Sequence, residues 1–427
     1  MNSFIEPRFV TNIGTLILPQ TGSNGIPDPP VEIHRQVWLE IQEGRVVRVG
    51  AEGEPYPSQP GSDGQTYDAE GLLATPGFVD AHTHPIFKGW RSGEFVRRSR
   101  GDSYQQIAAS GGGISSSIVG VRESSTETLA GLIRTRLDRF LELGATSIEA
   151  KSGYGLTVED ELKSLRALQL AAAGHPLEVS PTLLGAHVVP PEFRSDPDSY
   201  LDLVCNEMIP RSADERLAHA VDVFLEDGAF SLKQAKRIFQ AGKRCGLGLR
   251  IHADQFHSGG GARLAAEYSA LSADHMDYTD EAGLEVLAKA GVVMTLLPGA
   301  VFFLGREHYA SARRMIELGG RLALSTDFNP GSSPTQSMPL MMTLAGIKMN
   351  LTPAESLWAA TMGGACALSR KQDLGTLHPG YQADFCLWEA GELDLIPYRC
   401  GDLVPEAVFK RGRLVARRGV RLQCNNG

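Results

Sequence analysis

The stretch Phe78-Val79-Asp80-Ala81-His82-Thr83-His84 sets two imidazoles two residues apart at the end of an apolar run. Side chains alternate along a β-strand, so a strand here puts Asp80, His82 and His84 on one face. Two neutral imidazoles on one side of a rigid strand can hold a single divalent metal from adjacent coordination positions. The pair alone is weak evidence, because a lone histidine is more often a satisfied core or surface residue. It gains weight because Lys151, Tyr154, His187, His252, Gln255, His275 and Asp327 each close or follow a later apolar run. Three histidines and one aspartate make a ligand set for Zn²⁺ or Fe²⁺, with water as a further ligand. Water so held loses a proton near neutral pH and becomes a hydroxide nucleophile.

Elements must bring these residues together. Strands are predicted at 77–84, 146–151, 178–184, 221–225, 249–252, 271–275, 292–296 and 321–325, with helical patterns at 126–143, 158–173, 232–245, 259–268 and 281–290. Eight strands alternating with helices predict an α/β chain folded as a TIM-like (β/α)₈ barrel, whose site sits at the C-terminal strand ends. Towards the N-terminus, 37–41 and 45–49 flank Gln42-Glu43-Gly44, a hairpin signature, after a Pro/Gly-rich loop at 22–30. At the far end, 382–388 and 406–410 read as strands, and Arg411-Gly412-Arg413 turns into a second hairpin. The expected organisation is a barrel over 77–378, with 1–76 and 379–427 joining as a small β-sandwich domain.

Composition excludes other classes. With 427 residues, 42% hydrophobic and 21% charged, the chain has ample core material for a soluble globular protein. A net charge of -9 argues against a nucleic-acid partner, which requires basic patches. No apolar run reaches the ~20 residues needed to span a bilayer. Met1-Asn2-Ser3-Phe4-Ile5-Glu6 lacks the basic start and apolar stretch of a secretion signal. Cys205, Cys245, Cys366, Cys386, Cys400 and Cys424 form no Cys-x-x-Cys pair, as expected of reduced thiols in a cytoplasmic protein.

The His-x-His, His, His, Asp pattern on an eight-fold barrel resembles the amidohydrolase superfamily. Glu149-Ala150-Lys151-Ser152-Gly153-Tyr154-Gly155, Gly185-Ala186-His187-Val188-Val189-Pro190-Pro191-Glu192 and Ser272-Ala273-Asp274-His275 are similar to the imidazolonepropionase family. So are Leu297-Pro298-Gly299 with Phe302-Phe303-Leu304, and Ser325-Thr326-Asp327-Phe328-Asn329-Pro330-Gly331-Ser332-Ser333-Pro334. The resemblance implies hydrolysis of 4-imidazolone-5-propanoate to N-formimidoyl-L-glutamate, the third step of histidine degradation. It implies His82, His84, His252 and Asp327 as metal ligands, with Arg91, Tyr104, Tyr154 and His187 around the substrate. Gln255 falls where some members carry Glu and others Gln. Asn329, Gly331 and Ser332 match the loop after the eighth strand that contacts ring and product.

That substrate joins a cyclic amide to a propanoate, which gives each residue an expected task. His275, near the metal but outside its ligand set, would stabilise the oxyanion or orient the water. Asp327 would take the water's proton and return it to the departing ring nitrogen. Gln255, an amide, can orient substrate or water but is no base. Arg91 offers a planar fork suited to the propanoate. Binuclear amidohydrolases usually bridge their metals with a carboxylated lysine on the fourth strand; 221–227 has none and Lys151 ends the second, so one metal per chain, Zn or Fe, is expected. A homodimer is expected because dimers are common among such barrels. Gly111-Gly112-Gly113-Ile114-Ser115-Ser116-Ser117 lacks the Gly-Lys-Ser/Thr ending of a phosphate loop, so a mobile loop over the barrel mouth is predicted. Two alternatives stay open: a metal-dependent deaminase of a nucleobase-like ring, which needs no receptor for a propanoate, and a catalytically dead barrel, which typically loses metal ligands.

Overall fold

The computed structural model describes residues 5–22, 25–57, 66–102, 106–107 and 111–422; Tyr104 lies outside them. Five strands come first: β1 (Phe9–Pro19), β2 (Val31–Gln42), β3 (Arg45–Val49), β4 (Thr66–Asp68) and β5 (Leu73–Pro76). Eight parallel strands follow: β6 (Phe78–Asp80), β7 (Ala145–Lys151), β8 (Glu178–Ala186), β9 (Ala220–Leu225), β10 (Gly248–Ala253), β11 (Ser272–His275), β12 (Val293–Leu296) and β13 (Arg321–Leu324). The chain returns with β14 (Phe385–Trp388), β15 (Ala407–Lys410), β16 (Arg413–Arg417) and β17 (Val420–Arg421). Strands β6 to β13 pair in sequence order, and helices such as Thr126–Glu142, Val158–Ala172 and Leu232–Arg244 cover them, which is the TIM-like barrel.

The barrel closes one step beyond the regular strands. Asp327 N–H donates to the His82 carbonyl (3.1 Å) and His84 N–H to that of Phe328 (2.8 Å), while Asp80 accepts from the Thr326 backbone (3.1 Å) and hydroxyl (2.5 Å). This corrects two expectations. The first strand ends at Asp80, because beyond it the chain pairs only in single bridges such as Thr83 with Phe328. Asp80 spends both oxygens on this seam rather than joining the histidines. A third correction concerns the glycine run. Its serines belong to the helix Ile114–Arg122, started by Gly113 at φ 73°, a conformation open to glycine.

Strands from both termini form one nine-stranded sheet folded around its own core, with Phe385 and Phe409 stacked 4.3 Å apart. Glu43-Gly44 and Arg411-Gly412 are two-residue turns with positive φ at both positions, the geometry that matches strand twist in hairpins. Alternation along β14 divides its loyalties. Phe385 and Leu387 enter the sheet's own core; Cys386 and Trp388 face the barrel's.

Candidate metal centre and active site

Four donor groups converge at the C-terminal mouth of the barrel. His82 and His84 follow β6, His252 lies on β10, and Asp327 follows β13 at φ 51°. The Nε2 atoms of His82 and His84 are 3.2 Å apart, and Asp327 Oδ1 lies 3.6 and 3.4 Å from them. One nitrogen from each of His82, His84 and His252 falls within 4.8 Å of the others. The far nitrogens of two rings are committed. His82 Nδ1 donates to Asp274 (2.8 Å) and His252 Nδ1 to Asp222 (3.2 Å), which turns both Nε2 lone pairs inward. Burial, reinforced by nearby Lys151 and His252, holds the His82 and His84 pKa values well below the usual histidine range. Neutral imidazoles aimed at one point with a carboxylate beside them are a donor set that fits a divalent cation.

One layer deeper, Lys151 reaches Asp222 (2.8 Å) and Glu149 (2.9 Å), with Asp274 at 3.9 Å, all of them fully buried. Burial opposes the ammonium, but Asp222, Glu149 and Asp274 outweigh it and raise the Lys151 pKa. A lysine held protonated in this way is not a nucleophile for carbon dioxide, and two of its carboxylate neighbours, Asp222 and Asp274, are those that orient the histidines. Asp222, Glu149 and Asp274 crowd around Lys151, an acidic layer directly behind the donor groups that suits a divalent ion.

Arg91, Tyr154, His187, Gln255, His275, Asp327, Asn329, Gly331 and Ser332 line one cavity with His84 and His252. Arg91 grips Glu94 through Nε (3.0 Å) and Nη2 (2.7 Å). Its Nη1 lies against Gly331, where an added Cβ would sit 2.4 Å away. His187 Nδ1 donates to the Gly153 carbonyl (2.9 Å), and burial keeps this ring neutral too, its pKa well below the usual value. Asn329 is used internally. Its Oδ1 accepts from the Gly331 and Ser332 backbone (2.8 and 2.7 Å) and its Nδ2 donates to the Asp327 carbonyl (2.7 Å), so it shapes the loop. Burial lowers the His275 pKa to about 3 and raises that of Asp327; His275 Nδ1 is buried without a hydrogen-bond partner.

Residues 73–415 match the model of the amidohydrolase family. The chain is 46% identical to an imidazolonepropionase of Shouchella clausii over 84% of its own length and 80% of that protein. For Symbiobacterium thermophilum the identity is 45% over 89% and 90%, and for Geobacillus kaustophilus 43% over 97% and 99%; both relatives carry the same name. The chain belongs to the imidazolonepropionase family. Among solved structures, guanine deaminase of E. coli superposes with a TM-score of 0.70, covering 98% of this chain and 100% of that one, at 16% identity. A 5-methylcytosine deaminase from Klebsiella pneumoniae gives 0.70 at 15%, covering 97% and 98%. At such identities the deaminases share the barrel architecture and nothing finer is carried over.

In this imidazolonepropionase-family chain, sequence reasoning passed over Asp222, Glu149 and Glu94, and the apolar wall formed by Ile114, Phe224, Phe256 and Leu304. Asp222 had left a signal, a lone carboxylate inside the apolar run Ala220–Leu225 that must find a buried partner. Glu94 had none, since a glutamate three residues after an arginine usually marks a solvated helix face.

Proposed function

We propose that the chain hydrolyses the ring amide of 4-imidazolone-5-propanoate, adding water across the C–N bond to give N-formimidoyl-L-glutamate in histidine degradation. The observation that carries this reading is that an arginine fork, two neutral histidines and a convergent metal-ligand set open into one cavity in a chain of this family. His82, His84, His252 and Asp327 would hold one divalent ion, Zn or Fe, which when bound polarises a carbonyl and acidifies water. Asp327, its proton affinity raised by burial, takes a proton from the attacking water and returns it to the departing ring nitrogen. His275, neutral under neutral conditions, donates to the oxyanion that develops on the ring carbonyl. His187 has its Nδ1 proton committed to Gly153, so Nε2 accepts from a ring N–H.

Gln255, buried beside the cavity, orients the ring. Arg91 and Tyr154, with Tyr104, receive the propanoate, while Gly331 and Ser332 hold the ring and product. We further propose a homodimer working in the cytoplasm; no helix of the described chain is long and apolar enough to cross a membrane. The test is loss of imidazolone absorbance with purified protein, beside cytosine, guanine and hydantoins. Turnover confined to the imidazolone is expected. Preferential release of ammonia from cytosine or guanine would replace this reading with the deaminase one.

A further inference from the structure

Arg136, on the helix Thr126–Glu142, is only 8% exposed. Its Nη1 donates to the Pro85 (2.6 Å) and Phe87 (2.8 Å) carbonyls, and its guanidinium lies 3.4 Å from the Phe87 ring centroid. Lys151, Lys410 and Arg91 are each matched by carboxylates, but among the described residues Arg136 has no carboxylate partner. Burial lowers its pKa only to about 10, so it stays charged at neutral pH. A buried charge without a counter-ion is costly; Arg136 does not itself line the cavity, so an opposite charge brought by a ligand acts on it at a distance.

The surroundings say where that charge acts. Residues 85–91, which Arg136 clamps, run from the proposed ligand His84 to Arg91. Tyr154, which lines the cavity, interacts electrostatically with Arg136. Arg91 itself contributes little net charge, because Glu94 already neutralises it through two hydrogen bonds. We propose that Arg136, from behind the cavity wall, is a specificity-determining residue: its charge selects substrates bearing a carboxylate, while Arg91 fixes the carboxylate's geometry. In a buried, water-poor setting such an interaction is poorly screened and reaches beyond contact distance. The inference rests on the proposed hydrolysis of a propanoate-bearing ring.

The experiment compares wild type, Arg136→Lys (charge kept) and Arg136→Gln (a donor kept, charge removed) on 4-imidazolone-5-propanoate and on an imidazolone lacking the carboxylate, with bound metal measured in each. Arg136→Gln is expected to raise KM for the anionic substrate roughly tenfold, with kcat within about threefold and metal content unchanged. It should leave the uncharged substrate unaffected, and Arg136→Lys should stay near wild type. An unchanged KM in Arg136→Gln, or equal losses in both variants on both substrates, overturns the proposal, the latter because it marks a packing role alone. Wild-type turnover tests the hydrolase reading separately. Should the wild type be inactive, the three proteins are compared for binding imidazole-4-propanoate against its amide. A preference for the acid that Arg136→Gln abolishes and Arg136→Lys keeps is then the expected result, and its absence overturns the proposal.

Discussion

The five site histidines differ in what their outer nitrogen does. His82 and His252 each spend Nδ1 on a buried carboxylate and His187 on a backbone carbonyl, while Nδ1 of His84 and of His275 has no partner. A ring with an occupied outer nitrogen presents a fixed lone pair; one without can choose its tautomer and donate. His82→Ala and His252→Ala are therefore expected to lose the ion and all turnover while circular dichroism shows a folded barrel. His275→Phe should keep the ion and lose kcat. If His275→Phe loses metal as completely as His82→Ala, His275 is a ligand and the assigned roles are wrong. Asp327→Asn keeps a metal-facing oxygen but no proton carrier, and at saturating zinc kcat should fall by ~10²–10⁴-fold.

Loops after the strands translate side-chain chemistry into shape. Asn329 knots the loop after β13 so that Gly331 comes flush against Arg91. Gly331→Ala would drive a methyl to 2.4 Å from Arg91 Nη1, so KM for the propanoate substrate should rise at least tenfold with metal content unchanged. Equal KM values for variant and wild type would remove this contact from substrate binding. The same elements show what the sequence could tell. All eight barrel strands were legible because each is a short apolar run ended by turn residues, and site residues gathered at those ends. The end of β6 was not legible: alternation continues to His84, but hydrogen bonds to neighbouring strands, absent from any local pattern, set the strand's limit. The helix after Gly113 was hidden for a similar reason, since serines and glycines carry weak helix propensity and packing overrides it. Arg136 leaves no trace in its own helix, for its partners are backbone atoms some fifty residues earlier.

On the scale of the molecule, barrel and terminal sheet are pinned by a half-buried charge cluster. Glu178 at the start of β8 meets Lys410 of β15 (3.2 Å), and also Arg370. Burial tends to raise its pKa, but Lys410 and Arg370 outweigh that and bring it to about 2. The ionised form is favoured by folding, so the stabilisation is present above pH 4.5, the carboxyl's ordinary value, and drains away as pH falls towards 2. Glu178→Gln should cost roughly 2 kcal/mol at pH 7, after discounting for partial exposure, and almost nothing near pH 2. Denaturant melts of both proteins across that range check this; a pH-independent difference would assign the cost to packing. The barrel's seam has a consequence of its own. Two of the proposed ligands lie on its first strand's exit and one on its last, and the amides of Asp327 and His84 close the ring between them. A bound ion is thus a removable staple across the longest loop of the barrel, comparable in topology to a disulfide. Chelation should let those two amides exchange with deuterium well before those of β9 and β10, so that an emptied barrel unzips from the mouth of its own active site.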